Sequence, residues 1–110
     1  MIDQTLLEPK EILISGKRFL LSKLPATVGR ETLLAYTMNS NESGVVDYSK
    51  VPLENSMRLL SYASVAVGEA WMRLSTEEII NAHLSSINDY MDLEQKMLEH
   101  SMVFSSTAKS

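Results

Sequence analysis

Cysteine is absent from the sequence, so disulfide bonds, thiolate nucleophiles and Cys-ligated metal sites are all excluded. Aromatic residues make up only 6% of the chain and include a single Trp. No apolar run approaches the roughly 20 residues that a membrane-spanning helix needs. Basic residues are also scarce, because 10 Lys and Arg stand against 14 Asp and Glu, which gives a net charge of −4. Since phosphate neutralisation requires a basic surface, we expect neither nucleic acid nor an anionic membrane as a partner.

The first residues of the chain carry Asp3 and Glu8 and lack the charged start and apolar core of a secretory signal. We therefore expect a cytoplasmic protein. The 110 residues are the length of one domain, and 45% hydrophobic with 22% charged residues is ordinary for a globular protein. The sequence predicts a single domain over residues 1–110, with a loose lead at 1–10 and a flexible tail at 105–110.

Residues 11–38 read as a hairpin that leads into a helix. Two short β-favouring runs, ILI at 12–14 and FLL at 19–21, flank the turn-like SGKR, in which Gly16 tolerates positive φ. An irregular apolar segment is the alternative. Pro25 ends the second strand because it offers no N–H to a ladder, and the apolar residues after it predict a helix that ends near Met38.

The remainder of the chain predicts a loop over 39–51 and a helical region over 52–104. One stripe in that region has apolar residues spaced by three and four positions, and it would place Gly68 inside a helix: Leu60, Ala63, Val67, Ala70 and Leu74. Ser75 starts a capping-box pattern, and the Ser pair at 85–86 would bend or divide the helix that follows. The predicted fold is mainly α within the α+β class, a short N-terminal β-hairpin packed on a bundle of three to four helices.

Methionine is unusually frequent, with seven residues against two Phe, and it suits surfaces that adapt to a partner. The last helix carries more apolar positions than one buried stripe needs. Either that helix is fully buried, or one of its sides forms a groove for a helix of a partner. The candidate partner-binding residues are Met91, Met97, Leu98, Met102 and Phe104.

Catalytic and metal-binding patterns are not apparent. The two histidines, His83 and His100, would lie about 25 Å apart on one straight helix, at 1.5 Å per residue. We interpret His83 as a histidine at the edge of the core and His100 as a charge at a helix C-terminus. We therefore expect no catalytic residues, no metal, no cofactor and no enzyme activity.

Two motifs near the N-terminus carry a resemblance to a known family. SGKRF at 15–19 and KLPATVGRE at 23–31 resemble the N-terminal part of tail assembly chaperones from tailed bacteriophages, and 87–104 is loosely similar to their closing helix. The resemblance implies a protein that binds the tape measure protein in the host cytoplasm and keeps it soluble. It also implies help in recruiting tail tube subunits, and absence from the mature virion.

Two other classes of function stay open on the sequence. One is a structural part of the particle, a head–tail connector or tail completion protein, which would persist in the virion. The other is a small enzyme or regulator. An apolar groove without its partner would favour weak homo-oligomers of this chain.

Overall fold

The computed structural model describes the backbone of residues 9–109 and the side chains of residues 9–101. Strands and helices occur together in one chain, which confirms the α+β class. A 3-10 helix, Tyr48–Lys50, lies in the central loop. In chain order the other elements are β1 (Lys10–Ile14), β2 (Lys17–Leu21), α1 (Ala26–Met38), α2 (Leu53–Leu60), β3 (Ala63–Val67), β4 (Ala70–Arg73), α3 (Glu77–His83) and α4 (Ile87–Lys109).

The first hairpin forms where the sequence predicted it. β1 pairs antiparallel with β2, with Ile12 opposite Phe19. Ser15 and Gly16 form the turn, and both have positive φ, 49° and 81°, as a type I′ turn requires. Positive φ is unfavourable for Ser, and its hydroxyl donates to Asp89 Oδ1 at 2.6 Å. This contact ties the turn to the first turn of α4.

The segment from Ala63 to Arg73 is a second hairpin, so the helix predicted through it is wrong. β3 and β4 pair antiparallel around a two-residue turn of Gly68 and Glu69. Gly68 has φ of 61° and Glu69 does not share a positive φ, the pattern of a type II′ turn. The prediction failed because small apolar residues at this spacing fit two short strands as well as one helix.

The two hairpins join into one antiparallel sheet of four strands in the order β1-β2-β3-β4. The predicted arrangement, a short hairpin on a helical bundle, is therefore wrong. β2 pairs with β3 so that Phe19 lies opposite Val65 and Leu21 opposite Ala63. All four side chains are buried on one face of the sheet, and that face forms one side of the hydrophobic core.

Among the described residues 9–109, helices cover only the face of the sheet that carries Phe19. The opposite face is exposed at Leu13, Arg18 and Trp71, as in antiparallel sheets that pack on one side. The Arg18 guanidinium lies 5.3 Å from the centre of the Trp71 ring and also pairs with Glu11. The helices, together with Leu84 directly after α3, contribute these buried side chains to the core: Tyr36, Leu59, Leu60, Ile80, Leu84, Leu93, Met97 and Leu98.

The central loop is held by local hydrogen bonds. The side chain of Asn41 accepts from two backbone N–H groups of the loop, at 2.9 and 3.0 Å. Asp47 caps the 3-10 helix by accepting from the Ser49 N–H at 3.1 Å. The ring of Tyr48 packs edge-on against Tyr36 with centroids 6.2 Å apart. The loop therefore closes over α1.

The boundaries of the last two helices follow the prediction in part. The chain divides at Ser85–Ser86 as expected, but Thr76 caps α3, accepting from the Ile79 N–H at 3.2 Å, in place of Ser75. α4 continues to Lys109, past the predicted end near Phe104. His100 is consequently buried inside α4 and is not a terminal charge. No helix within residues 9–109 has both the length and the hydropathy of a membrane-spanning segment.

Candidate partner-binding groove

The described members of the predicted partner-binding set do not share one exposed surface. Met97 and Leu98 are buried in the core, whereas Met91 is exposed. The side chains of Met102 and Phe104 lie outside the described residues, as does the greater part of the predicted lead at 1–10. α4 thus directs Met97 towards the sheet and Met91 away from it.

An open apolar groove lies where α2, α3 and the start of α4 meet. Its volume is about 540 Å³. The polar lining consists of Glu77, Asn81, Ser85 and Ser86. The apolar and aromatic lining, which defines what we call the α2–α3–α4 groove, consists of Leu53, Met57, Ile80, Leu84, Ile87 and Tyr90.

Two large aliphatic side chains on the rim of the groove are open to solvent. Leu53 is the first residue of α2 and Ile87 is the first residue of α4, and both are exposed. Met91 follows Ile87 by one helical turn, so it lies on the same side of α4. Exposed apolar side chains that lie close together around a cavity are typical of protein interaction sites.

The short connection between α3 and α4 shapes one wall of the groove. Leu84 ends α3 in an extended conformation, which turns the chain away from the helix axis. The hydroxyl of Ser86 then accepts from the Asp89 N–H at 3.1 Å and caps α4. These local bonds fix the first turn of α4, and they hold Ile87 at the rim.

Charges around the groove are acidic. Glu77 lines it, and Glu54 lies beside Leu53 in the first turn of α2. None of the lining residues, all of which belong to the described part of the chain, is Lys or Arg. The chemistry therefore suits a partner that presents an apolar surface with basic residues beside it.

A buried polar network lies behind the groove and includes one of its lining residues. Glu94 Oε2 accepts from the hydroxyl of Tyr36 at 2.5 Å and from that of Ser56 at 2.7 Å. Ser56 Oγ is also 2.6 Å from the hydroxyl of Tyr90. Because Ser56 gives its single proton to Glu94, Tyr90 must donate to Ser56. The network ties α1, α2 and α4 together beneath the groove.

Burial raises the pKa of the Tyr36 hydroxyl, and its hydrogen bond to Glu94 raises it further. Burial likewise raises the pKa of Tyr90. Both phenols therefore stay protonated near neutral pH and act as fixed hydrogen-bond donors. The network can position the wall of a binding site, which is a structural task and not an acid–base one.

A second cavity of about 330 Å³ lies between α1 and the central loop. Leu33, Tyr36 and Val46 line it together with Leu98, one of the predicted partner-binding residues. Leu98 therefore contacts this smaller cavity and not the α2–α3–α4 groove. Within residues 9–109, no group of three or more His, Asp or Glu side chains is arranged to hold a metal ion.

Comparison with known proteins returns no relative, since no family model, no curated protein and no solved structure matches the chain. The candidate site therefore depends on the geometry alone. The sequence prediction missed Leu53 because it belongs to no apolar stripe, and it missed Ile87 because the spacing of Ile80, Leu84 and Ile87 is that of a core-facing helical stripe. Each follows a helix-starting residue, Pro52 or Ser86, and that position was the available signal.

Proposed function

We propose that this protein is a tail assembly chaperone of a tailed bacteriophage. In the host cytoplasm it binds the tape measure protein, keeps it soluble, helps to recruit tail tube subunits, and leaves before the virion is complete. The observation that carries the proposal is the resemblance of SGKRF at 15–19 and KLPATVGRE at 23–31 to that family.

The residues of these motifs have structural tasks in this fold. Ser15 and Gly16 make the positive-φ turn, Phe19 is buried in the core, and Pro25 precedes the first residue of α1. A motif that specifies a scaffold, without presenting reactive groups, suits a protein that acts by binding.

The α2–α3–α4 groove supports the proposal with a binding surface of fitting chemistry. Its apolar lining and its acidic Glu77 suit an amphipathic helix that carries basic residues beside its apolar face. A long, coiled-coil-prone tape measure protein, which the resemblance implies as the client, would present amphipathic helices. The client helix would cover Leu53 and Ile87, which are open to water in the unbound chain.

Co-expression with the tape measure protein encoded beside this chain tests the proposal. The groove variant is Leu53→Gln with Ile87→Gln, at positions that are 59% and 74% exposed. The control variant is Leu13→Gln with Met38→Gln, positions 69% and 74% exposed that lie outside the groove. We expect the wild type and the control to keep the client soluble and to co-purify with it, and the groove variant to lose both effects.

Two outcomes contradict the proposal at different levels. If the tape measure protein is equally soluble and equally unbound with and without this chain, the proposed function is wrong. If both double variants bind as well as the wild type does, the client uses another surface and only the assignment of the groove is wrong.

A further inference from the structure

The three helices that enclose the α2–α3–α4 groove all begin at it. Leu53, Glu77 and Ile87 are the first residues of α2, α3 and α4, and each lines the groove. The N-terminus of a helix carries about half a positive elementary charge, so the backbone by itself would favour an anion here. Full negative charges in the first turns outweigh these partial charges: Glu54, Glu77, Glu78 and Asp89. The helix ends therefore leave this side of the molecule acidic.

A buried carboxylate behind the groove adds to this charge. Glu94 is 3% exposed, and its hydrogen-bond donors are the neutral hydroxyls of Tyr36 and Ser56. In the part of the chain that the structure describes, neither Glu94 nor Glu77 forms an ion pair with a basic side chain. Burial raises the pKa of Tyr90, and the charges of Glu94 and Glu77 raise it further, so both carboxylates lie near this lining residue. The negative charge around Tyr90 is thus left for a partner to neutralise.

Arginine combines the properties that this position requires. Its guanidinium is always charged, donates two parallel N–H groups to a carboxylate, and stacks on aromatic rings. Its aliphatic stem packs on apolar side chains, and the groove offers Leu53 and Met57 for that contact. Lysine lacks the planar fork and is more strongly hydrated, so it suits the position less well.

The sheet of this protein contains the same combination of groups. Arg18 pairs with Glu11 at 2.6 Å, and its guanidinium lies 5.3 Å from the centre of the Trp71 ring. In the groove, Glu77 provides the carboxylate and Tyr90 provides the aromatic ring. The arginine is the one component of the set that the described lining does not contain.

We infer that the client helix inserts an arginine into the α2–α3–α4 groove, where its guanidinium pairs with Glu77 beside Tyr90. Glu77 is then the residue by which the groove selects a basic segment, whereas Leu53 and Ile87 supply apolar contact. The inference rests on the proposed function, which makes the tape measure protein the client, and it adds the residue type that the groove recognises in that client.

Designed peptides test this selection with the purified full chain. Three amphipathic helical peptides share one leucine stripe and differ only at a position in its middle, which is Arg, Gln or Glu. Fluorescence anisotropy measures the affinity of each peptide. We expect the Arg peptide to bind about five-fold more tightly than the Gln peptide, and the Glu peptide to bind most weakly.

Glu77→Gln is the groove variant, and Glu78→Gln is its matched control. Both positions are exposed in the first turn of α3 and both substitutions remove one negative charge, but Glu78 does not line the groove. Glu77→Gln should remove the preference for the Arg peptide, and Glu78→Gln should keep it. Glu77→Arg should favour the Glu peptide. The circular dichroism spectrum of each variant should match that of the wild type.

The outcomes separate this inference from the proposed function. The inference is wrong if no peptide binds, if the Arg and Gln peptides bind equally, or if Glu78→Gln removes the preference as completely as Glu77→Gln does. Each of these results leaves the co-expression test of the proposed function unaffected. If the Arg preference depends on Glu77 while the tape measure protein stays unbound, the groove selects arginine as inferred and the proposed function is wrong.

Discussion

Replacing Ser56 with Ala tests the buried polar network with the smallest possible change. The substitution removes one oxygen atom from α2 and leaves the net charge and the apolar surface nearly unaltered. That oxygen donates to Glu94 Oε2 at 2.7 Å and accepts from the Tyr90 hydroxyl at 2.6 Å. Both bonds disappear together in the variant.

The expected loss of stability can be worked out from these two bonds. A hydrogen bond to a charged group contributes about 1.5–3 kcal/mol, and an unpaired buried hydroxyl costs about 1–3 kcal/mol. Tyr90 is only half-buried, so water can replace part of its lost bond. Ala forms a helix better than Ser by about 0.5 kcal/mol, which offsets some of the loss. We expect Ser56→Ala to lower the free energy of unfolding by about 2–3 kcal/mol.

Urea denaturation followed by circular dichroism measures this change, and thermal melting should show a Tm lower by ~8–12 °C. Asn55→Ala, the neighbouring position of α2, serves as the helix-propensity control. In the double variant with Tyr36→Phe, the buried carboxyl of Glu94 loses both hydroxyl donors. The stability lost in the double variant should therefore exceed the sum of the losses in the two single variants by at least about 0.5 kcal/mol. A change in Ser56→Ala of less than about 0.5 kcal/mol at an unaltered m-value would refute the reasoning.

Three other predictions follow from burial, backbone angle and pKa. Met97→Ala should lower stability by about 2–5 kcal/mol because Met97 is fully buried, whereas Met91→Ala, at an exposed position, should change the melting temperature little. Gly68→Ala should destabilise the protein by about 1–2 kcal/mol because φ at this position is 61°. The control Gly29→Ala, inside α1, should stabilise it by about 0.5–1 kcal/mol. If urea titrations showed that Gly68→Ala stabilises the protein, residue 68 would belong to a helix. Burial, with nearby lysines, lowers the pKa of His100 below the value of about 6.5 of the unfolded chain. Above about pH 6.5 His100 is neutral in both states and costs no stability, and the free energy of unfolding falls as the pH drops from there towards the pKa of His100 in the folded state. This dependence on pH should vanish in thermal melts of His100→Leu.

The first hairpin was predictable because its signals are local. Gly16 lies between two short β-favouring runs, and the strands they form pair with Ile12 opposite Phe19. The end of α1 at Met38 and the division at Ser85–Ser86 also depend on neighbouring residues. Turn and cap chemistry acts within a few positions, so a single sequence contains it.

The second hairpin was not predicted because its pattern is ambiguous. Ala63, Val67 and Ala70 satisfy a helical period, and only Gly68 before Glu69, with two β-branched valines upstream, favoured a type II′ turn. What settles the question is the pairing of β3 with β2, a contact between residues more than 40 positions apart, and no local preference contains it.

The groove and the network depend on contacts of the same long range. Tyr36, Ser56 and Glu94 belong to three different helices, so no spacing in the chain predicts that they meet. The prediction of Met97 and Leu98 as partner-binding residues started from the number of apolar positions along α4. It could not decide which of them the sheet would bury, because that depends on how α4 is rotated against the strands.

The protein inventory of purified virions tests the proposed function most directly against its structural alternative. Quantitative mass spectrometry would compare the copies of this chain per tape measure protein in infected-cell lysate and in purified particles. A chaperone should be present with the tape measure protein in the lysate and absent from the particles. Many copies retained in every particle would contradict the chaperone and would favour a head–tail connector or tail completion protein.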